Sequence, residues 1–362
     1  MSISNLSKML GEMIKTKRLD LELKLREVAA ATSIDQTLLS RFEKGDRMPS
    51  KKQLEKLGEA LKIDPDRMRI EWMADKLVHI VAYDQCAIEA LKVAESRVEY
   101  LVSNKVLEQP KLSSDIRSKL NYLDSLATQW KNKQPLNNSQ LLRLNEYFDV
   151  AYTFESNRIE GNTLSLNETA LVINKGLTIG GKSMREHLEA INHADAIDFV
   201  RDIVNGKEDF SKRIVLEIHR LILKEVDNEN AGRYRTVPVR ISGSDLELPQ
   251  PYMLEKMMED YFEYYQVYKS RLHPVILAAE MHERLVSIHP FIDGNGRTAR
   301  LVMNLILSKS GYTRANIKGS SAQRMEYYQA LQSAQKDGNP HDFYMLVIQE
   351  AISSIEAHLD LT

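Results

Sequence analysis

The 362-residue chain has very little cysteine: Cys86 is the single one, which excludes an internal disulfide framework and is typical of a reducing compartment. No charged and then apolar leader opens the sequence, and it contains no run of about 18 apolar residues. Internal repeats and long low-complexity segments are missing as well. We therefore expect a soluble cytoplasmic protein without a membrane partner.

The chain also lacks an excess of charge of one sign. Its formal net charge is −2, so no overall field favours a nucleic-acid coat or a membrane surface. The balance is uneven, however, because residues 1–70 hold 15 Lys and Arg against 11 Asp and Glu. The amino-terminal end is the basic part of the protein.

Residues 1–68 are predicted to form a small helical domain. Four short segments in it have the apolar spacing of helices, and they lie at 6–19, 25–32, 36–44 and 51–61. Asp35 is placed to cap the third helix and Gly45 to end it. The exposed face of that helix would carry side chains suited to base edges and phosphates, namely Gln36, Thr37, Ser40, Arg41 and Lys44.

The segment REVAAATSIDQTLLSRFEKG at 26–45 resembles the Cro/repressor-like helix-turn-helix domains. The resemblance implies that the third helix enters a DNA major groove, which would make DNA a second partner. A net charge of only +4 over the first 70 residues leaves an alternative open. In that alternative the domain is a helical docking module that does not bind DNA.

A helical linker is predicted at 69–138. Its first part, 69–102, has the pattern of one long amphipathic helix that either packs within the chain or pairs with a second copy in a homodimer. His79 and Cys86 lie on this helix and are interpreted as packing residues, because no second pair of metal ligands accompanies them.

The most informative stretch is HPFIDGNGRTAR at 289–300. Helical apolar patterns lie on both sides of it, which predicts a loop between two helices. Gly294, Asn295 and Gly296 would expose backbone N–H groups at the positive end of the second helix. Together these features predict an anion-binding site.

Four charged or titratable side chains of this stretch complete a nucleotide site. Arg297 and Arg300 are three residues apart, so both can reach the anion, and their planar forks match phosphate oxygens. The Asp293 carboxylate would be repelled by phosphates unless Mg²⁺ lay between them. His289 has no phosphate role and titrates near neutrality, so it is the candidate general base.

The pattern H-x-F-x-D/E-G-N-G-R-x-x-R in this stretch resembles the signature of the Fic domain family at all eight specified positions. The resemblance implies an all-α catalytic domain at 139–362 with a short β-hairpin flap, for which the segment 231–244 is the candidate. In that family the flap holds the target segment by strand addition.

A second motif, SNRIEG at 156–161, resembles the inhibitory S/T-x-x-x-E-G/N motif of many Fic proteins. The resemblance implies that Glu160 pairs with Arg300 in the place of the γ-phosphate of the nucleotide, and that Ser156 fixes the helix one turn earlier. The alternative for Glu160 is a solvated side chain near a helix end.

These resemblances imply a nucleotidyltransferase, specifically a protein adenylyltransferase that moves AMP from ATP to a Tyr, Thr or Ser hydroxyl of a target protein. His289 would be the base, and Asp293 would hold Mg²⁺. Nucleotide binding is expected from Gly294, Asn295, Gly296, Arg297 and Arg300. Two other functions stay open: removal of AMP at the same site, and DNA-binding regulation in which the Fic domain senses nucleotide.

Overall fold

The structure is a computed structural model, and it describes residues 9–103, 109–241 and 246–362. Contacts divide the chain into two compact units, Met1–Ser103 and Asn104–Thr362. Every regular element in the described ranges is helical, which confirms the all-α class. No helix in these ranges is both long and apolar enough to cross a membrane.

The first unit has six helices within its described residues. They are α1 (Met9–Asp20), α2 (Leu25–Thr32), α3 (Gln36–Glu43), α4 (Lys51–Leu61), α5 (Pro65–Val81) and α6 (Ala87–Ser103). The predicted limits of α2 and α4 are confirmed, whereas the predicted start of the first helix at 6 lies outside the described residues. The Asp35 carboxylate accepts hydrogen bonds from the N–H groups of Thr37 and Leu38, so it caps α3 as expected.

Two features hold α3 against α1. Gly11 of α1 allows a close crossing, because a Cβ there would lie 2.6 Å from the carbonyl oxygen of Phe42. Arg18 of α1 donates from Nε to Oε1 of Glu43 at 2.6 Å, in a pair that is largely removed from solvent. Gln36, Thr37 and Arg41 of α3 remain exposed.

The predicted single helix over 69–102 is wrong. Helix α5 already starts at Pro65 and ends at Val81, and α6 begins at Ala87. The Asp84 carboxylate accepts from the N–H of Cys86 at 2.8 Å, which stabilises a turn between the two helices. His79 and Cys86 are exposed, so their interpretation as packing residues is also wrong.

The second unit contains ten α-helices within its described residues. They are α7 (Ser114–Asn132), α8 (Asn138–Ile159), α9 (Leu166–Lys175), α10 (Met184–Asn205), α11 (Lys212–Leu223), α12 (Leu254–Tyr268), α13 (Pro274–Ile288), α14 (Asn295–Lys309), α15 (Ser321–Asp337) and α16 (His341–Asp360). A short 3₁₀ turn at Pro251–Met253 precedes α12.

Helix α14 lies at the centre of this unit. It packs against α13, α10, α11 and α8, and every residue from Arg297 to Leu307 is buried. A helix that is covered on all sides must be apolar on all sides, and most residues of α14 beyond its first turn are. Buried polar residues of α14 include Asn304, which pairs with the backbone of Ala315, and two arginines in the first turns, Arg297 and Arg300, whose charges need an explanation.

The predicted hairpin strands are not formed by the described residues of the flap segment. Residues 237–241 and 246–250 are irregular, and the predicted turn at 242–244 lies outside the described residues. The side chain of Arg235 bridges these two arms instead, because it donates to the carbonyl oxygens of Val237 at 3.1 Å and Pro249 at 2.6 Å. Pro238 and Pro249 have no N–H to contribute to a ladder.

Candidate active site

The loop from His289 to Gly294 connects α13 to α14. His289 has φ 50° and ψ 57°, a left-handed conformation that is uncommon for a residue with a Cβ. Its N–H donates to the carbonyl of Leu285 at 2.9 Å, and its own carbonyl accepts from Nε of Arg235 at 2.8 Å. The strained backbone is held from both sides, as is common at functional sites.

Asn295 closes this loop with its side chain. Its Oδ1 accepts from the N–H of Phe291 at 3.0 Å, and its Nδ2 donates to the carbonyl of Phe291 at 2.9 Å. The Phe291 ring is fully buried and anchors the loop in the core. The amide of Asn295 thus shapes the loop, while its backbone N–H is one of the first-turn donors of α14 that have no partner within the helix.

His219 of α11 is a third anchor, and sequence reasoning missed it. Its ring stacks on Phe291 with centroids 3.6 Å apart. Nδ1 accepts from the N–H of Gly232 at 2.9 Å, so Nε2 carries the proton and donates to the carbonyl of Asp293 at 3.0 Å. Burial lowers the pKa of His219 to about 4 and keeps this tautomer neutral.

Arg300 is buried and is held by the end of helix α8. Its Nε donates to Oγ of Ser156 at 3.1 Å, and its Nη2 donates to the carbonyl of Ser156 at 2.9 Å and to Oε1 of Glu160 at 2.6 Å. Burial by itself would lower the pKa of Arg300, but the Glu160 carboxylate raises it above its usual value. The guanidinium is thus charged inside the protein, and Ser156 contacts it directly.

Arg297 is equally buried but lacks a close partner. Its Nη1 lies 3.5 Å from Oε1 of Glu189, and its Nη2 lies 3.4 Å from Oδ1 of Asp293. Nε makes no hydrogen bond to any residue in the described parts of the chain. A buried cationic donor without an acceptor is costly, so this site is chemically suited to an anion.

The Glu160 carboxylate lies directly over the first turn of α14. A Cβ at Gly296 would approach Oε1 of Glu160 to 2.5 Å, so this position has room only for glycine while Glu160 is in place. The carboxylate is about one-third exposed, at 32%, and can therefore leave without crossing the core. Arg300 thus faces a carboxylate where the helix start would otherwise favour another anion.

The imidazole of His289 has one nitrogen available for chemistry. Nδ1 contacts the carbonyl of Val286 at 3.3 Å, and a carbonyl can only accept, so Nδ1 carries the proton and Nε2 has the free lone pair. Burial is the main cause that lowers the pKa of His289, and the Arg235 guanidinium lowers it further. The ring is therefore neutral at neutral pH, which is the state of a general base.

Asp293 is a half-exposed carboxylate next to the arginines. Burial would raise its pKa, but Arg297, the N–H of Gly294 and Arg185 together lower it, so the group is ionised. No group of three or more His, Cys, Asp or Glu side chains in the described ranges could hold a metal ion. A cation at Asp293 would need its remaining ligands from phosphate oxygens and water, which is the usual coordination of Mg²⁺.

The candidate DNA-binding side chains lie together in the first unit. All of them are at least partly exposed, on α3 or at its C-cap, and they are Gln36, Thr37, Ser40, Arg41 and Lys44. This placement is compatible with a groove contact or a protein contact.

Comparison with known proteins identifies two domains. Residues 209–307 match the Fic/DOC family, and residues 14–68 match a helix-turn-helix family. Protein adenylyltransferase fic-1 of Caenorhabditis briggsae is 32% identical over 282 residues, which are 77% of this chain and 54% of the relative. Protein adenylyltransferase Fic of Nematostella vectensis is 36% identical over 218 residues, or 60% and 49%.

A solved structure of Fic-1 from C. elegans is similar to this chain with a TM-score of 0.62 and 29% identity, covering 86% of this chain and 88% of that one. The chain spans about half the length of the curated relatives it matches. The Fic/DOC match at 209–307 includes the loop at 289–294, and the helix-turn-helix match at 14–68 includes α3. The chain therefore carries a Fic/DOC family domain and, at its amino-terminal end, a helix-turn-helix domain.

Proposed function

We propose that this protein is an adenylyltransferase that transfers AMP from ATP to a hydroxyl side chain of a target protein, and that Glu160 holds it inactive. The observation that carries the proposal is the buried Arg300, which binds Ser156 and Glu160 at the start of an anion-binding helix. Relatives named protein adenylyltransferase support the same activity.

In the proposed reaction Nε2 of His289 accepts the proton of a Tyr, Thr or Ser hydroxyl. The hydroxyl oxygen bonds to the α-phosphorus of ATP, the bond to the bridging oxygen of the β-phosphate breaks, and pyrophosphate leaves. Arg297 and Arg300 would neutralise the β- and γ-phosphates, while first-turn N–H groups of α14 bind phosphate oxygens. The protein contributes positioning and charge, as is usual in such transfers.

Asp293 would hold Mg²⁺ against the phosphates in this proposal. Its ionised carboxylate is the one acidic group contributed by the loop at 289–294. The ion, when bound, would neutralise part of the phosphate charge. The target segment would lie along the flap arms, which Arg235 connects to the carbonyl of His289.

Inhibition would follow from the pairing of Glu160 with Arg300. A carboxylate offers an arginine fork the same two-oxygen geometry as a phosphate, so Glu160 would occupy the place of the γ-phosphate. ATP could then bind only in a pose that is not in line for attack. Removal of the carboxylate would free Arg300.

The remaining parts of the proposal concern the rest of the chain. We take 1–68 as the helix-turn-helix domain, 69–138 as the helical linker and 139–362 as the catalytic domain of a cytoplasmic protein. The exposed face of α3 would bind DNA, with a docking role as the alternative. A mobility shift titrated with salt separates the two, because phosphate contacts weaken steeply as salt rises.

The enzyme proposal is tested with α-labelled ATP and a cell lysate. The Glu160→Gly protein should label itself or a target band more strongly than wild type, and the Glu160→Gly, His289→Ala double variant should label about 10²–10⁴-fold more slowly than Glu160→Gly. Equal labelling by wild type and Glu160→Gly would reject the inhibitory role of Glu160 but not the transfer activity. Labelling by the double variant at the rate of the Glu160→Gly protein would reject His289 as the base.

Removal of AMP is the second candidate function, because Glu160 is partly exposed and its carboxylate acts electrostatically on His289. It could therefore orient a water molecule beside the base. Wild-type protein added to a labelled target should then release AMP, and Glu160→Gly should not.

A further inference from the structure

The contact between Arg185 and Asp293 is not used in the mechanism above. Arg185 lies in the first turn of α10 and donates from Nη2 to Oδ2 of Asp293 at 2.9 Å. The other carboxylate oxygen, Oδ1, accepts the N–H of Gly294 at 2.6 Å. Thus Oδ2, the oxygen that a metal ion could approach, already has a cationic partner 108 residues away in sequence.

We propose that the Arg185 guanidinium competes with Mg²⁺ for the Asp293 carboxylate. This competition sets the Mg²⁺ concentration that the nucleotide site requires. This inference rests on the proposed nucleotide site. Mg²⁺ needs ligand oxygens at about 2.0–2.1 Å in nearly octahedral geometry. A guanidinium hydrogen-bonded to the same oxygen takes part of that coordination space and repels a second cation, so we expect metal binding to displace Arg185.

The geometry makes this displacement easy. The Arg185 side chain is 58% exposed, so it can move without disturbing the core. Its Nε already donates to Oε1 of Glu189, one helical turn further along α10, at 3.1 Å. When Arg185 leaves Asp293 it keeps this second carboxylate, and no buried charge is left unpaired.

Asp293 has a second guanidinium neighbour besides Arg185. Its carboxylate is flanked by Arg185, Arg297 and the N–H of Gly294. Arg297 is buried and cannot move away in the same manner. Arg185 is therefore the exchangeable member of the pair of guanidinium groups.

The test measures nucleotide binding rather than transfer. ATP binding to full-length Glu160→Gly protein is followed by calorimetry over a series of free Mg²⁺ concentrations, with and without a second change, Arg185→Gln. Arg213→Gln is the matched control, because Arg213 is 59% exposed and pairs with Glu208 away from the loop. Since exposed ion pairs are weak, we expect Arg185→Gln to reduce the half-saturating Mg²⁺ concentration about two- to fivefold.

The affinity for ATP at saturating Mg²⁺ should be the same in the Arg185→Gln and Arg213→Gln proteins. An unchanged Mg²⁺ dependence would overturn the proposal, and so would weaker ATP binding at every Mg²⁺ concentration, since Arg185 would then be a phosphate ligand. If no variant binds ATP at any Mg²⁺ concentration, the nucleotide site itself is rejected. That outcome is distinguishable from the first two.

Discussion

Two arginine–carboxylate contacts lie at the two ends of the proposed phosphate site, and they differ in burial. Arg300 is 1% exposed and is held by Glu160 and by both oxygens of Ser156. Arg185 is 58% exposed and contacts Asp293 and Glu189 through single hydrogen bonds. A buried charge must keep a partner, whereas an exposed one can exchange partners with water at little cost.

This difference assigns different tasks to the two contacts. The buried Arg300 cannot remain without an anion, so Glu160 can leave only when another anion replaces it or when the site rearranges. The exposed Arg185 can be displaced by a cation that competes for Asp293. The Arg300–Glu160 contact is therefore suited to control nucleotide binding. The Arg185–Asp293 contact is suited to set the Mg²⁺ concentration that the site requires.

The largest expected effect comes from His289, which lies between the two ends. In the Glu160→Gly background, His289→Ala should reduce the rate of AMP transfer by about 10²–10⁴-fold, because a general base contributes on that order. The rate is measured with α-labelled ATP. ATP affinity should remain within about twofold of the background protein, since His289 has no assigned phosphate contact. A large loss of affinity would assign it a binding role instead.

A smaller loss is expected at the buried loop anchor. His219→Phe keeps the stack on Phe291 but removes both hydrogen bonds, so the Asp293 carbonyl and the Gly232 N–H lose a partner. Losses of about 1–3 kcal/mol per buried group predict a roughly tenfold or greater fall in labelling rate in the Glu160→Gly background.

His358→Phe is the control for this experiment. His358 stacks on Phe148 with centroids 3.6 Å apart, and burial lowers its pKa to about 4, as for His219, but it does not contact the loop. The labelling rate of the His358→Phe variant should stay close to that of the Glu160→Gly protein. An equal loss in both variants would mean that general destabilisation, and not loop geometry, causes the effect.

Thermal unfolding tests the difference in burial between Arg300 and Arg185. Arg300→Met leaves Glu160 and Ser156 without their partner, so we expect a loss of about 1–3 kcal/mol and a lower melting temperature. Arg185→Gln should change stability by no more than about 0.5 kcal/mol. Similar melting temperatures for these two proteins would contradict the difference in burial on which the two tasks depend.

The smallest effect concerns pH. The pKa of His289 is lowered, so its neutral form persists as the pH falls through the usual range of histidine, and the transfer rate should decline only below about pH 6.5. Above that pH the ionisation of His289 should cause no further change in the transfer rate. The rate is measured in the Glu160→Gly protein, and because the Glu160 carboxylate raises this pKa, its removal should place the acidic limb at lower pH still. An acidic limb above pH 6.5 would argue against the buried neutral ring.

Local signals predicted much of the fold. The limits of α2 and α4 and the Asp35 cap agree with the sequence expectations, because each depends on residues within a few positions of one another. The long helix over 69–102 failed, since apolar spacing continues across the turn that Asp84 stabilises. The flap strands failed because Arg235, not a backbone ladder, connects the arms.

The sequence by itself determined the chemistry of the loop at 289–300: its donors, its two arginines, its carboxylate and its imidazole lie within twelve residues. Only the tertiary structure decided what surrounds them. His219, Arg235 and Arg185 come from 108 to 54 residues away, and no periodicity connects them to the loop. Contacts over such distances depend on how α10 and α11 pack around the central α14, and the free energy of that packing is shared among many side chains instead of being encoded in one motif.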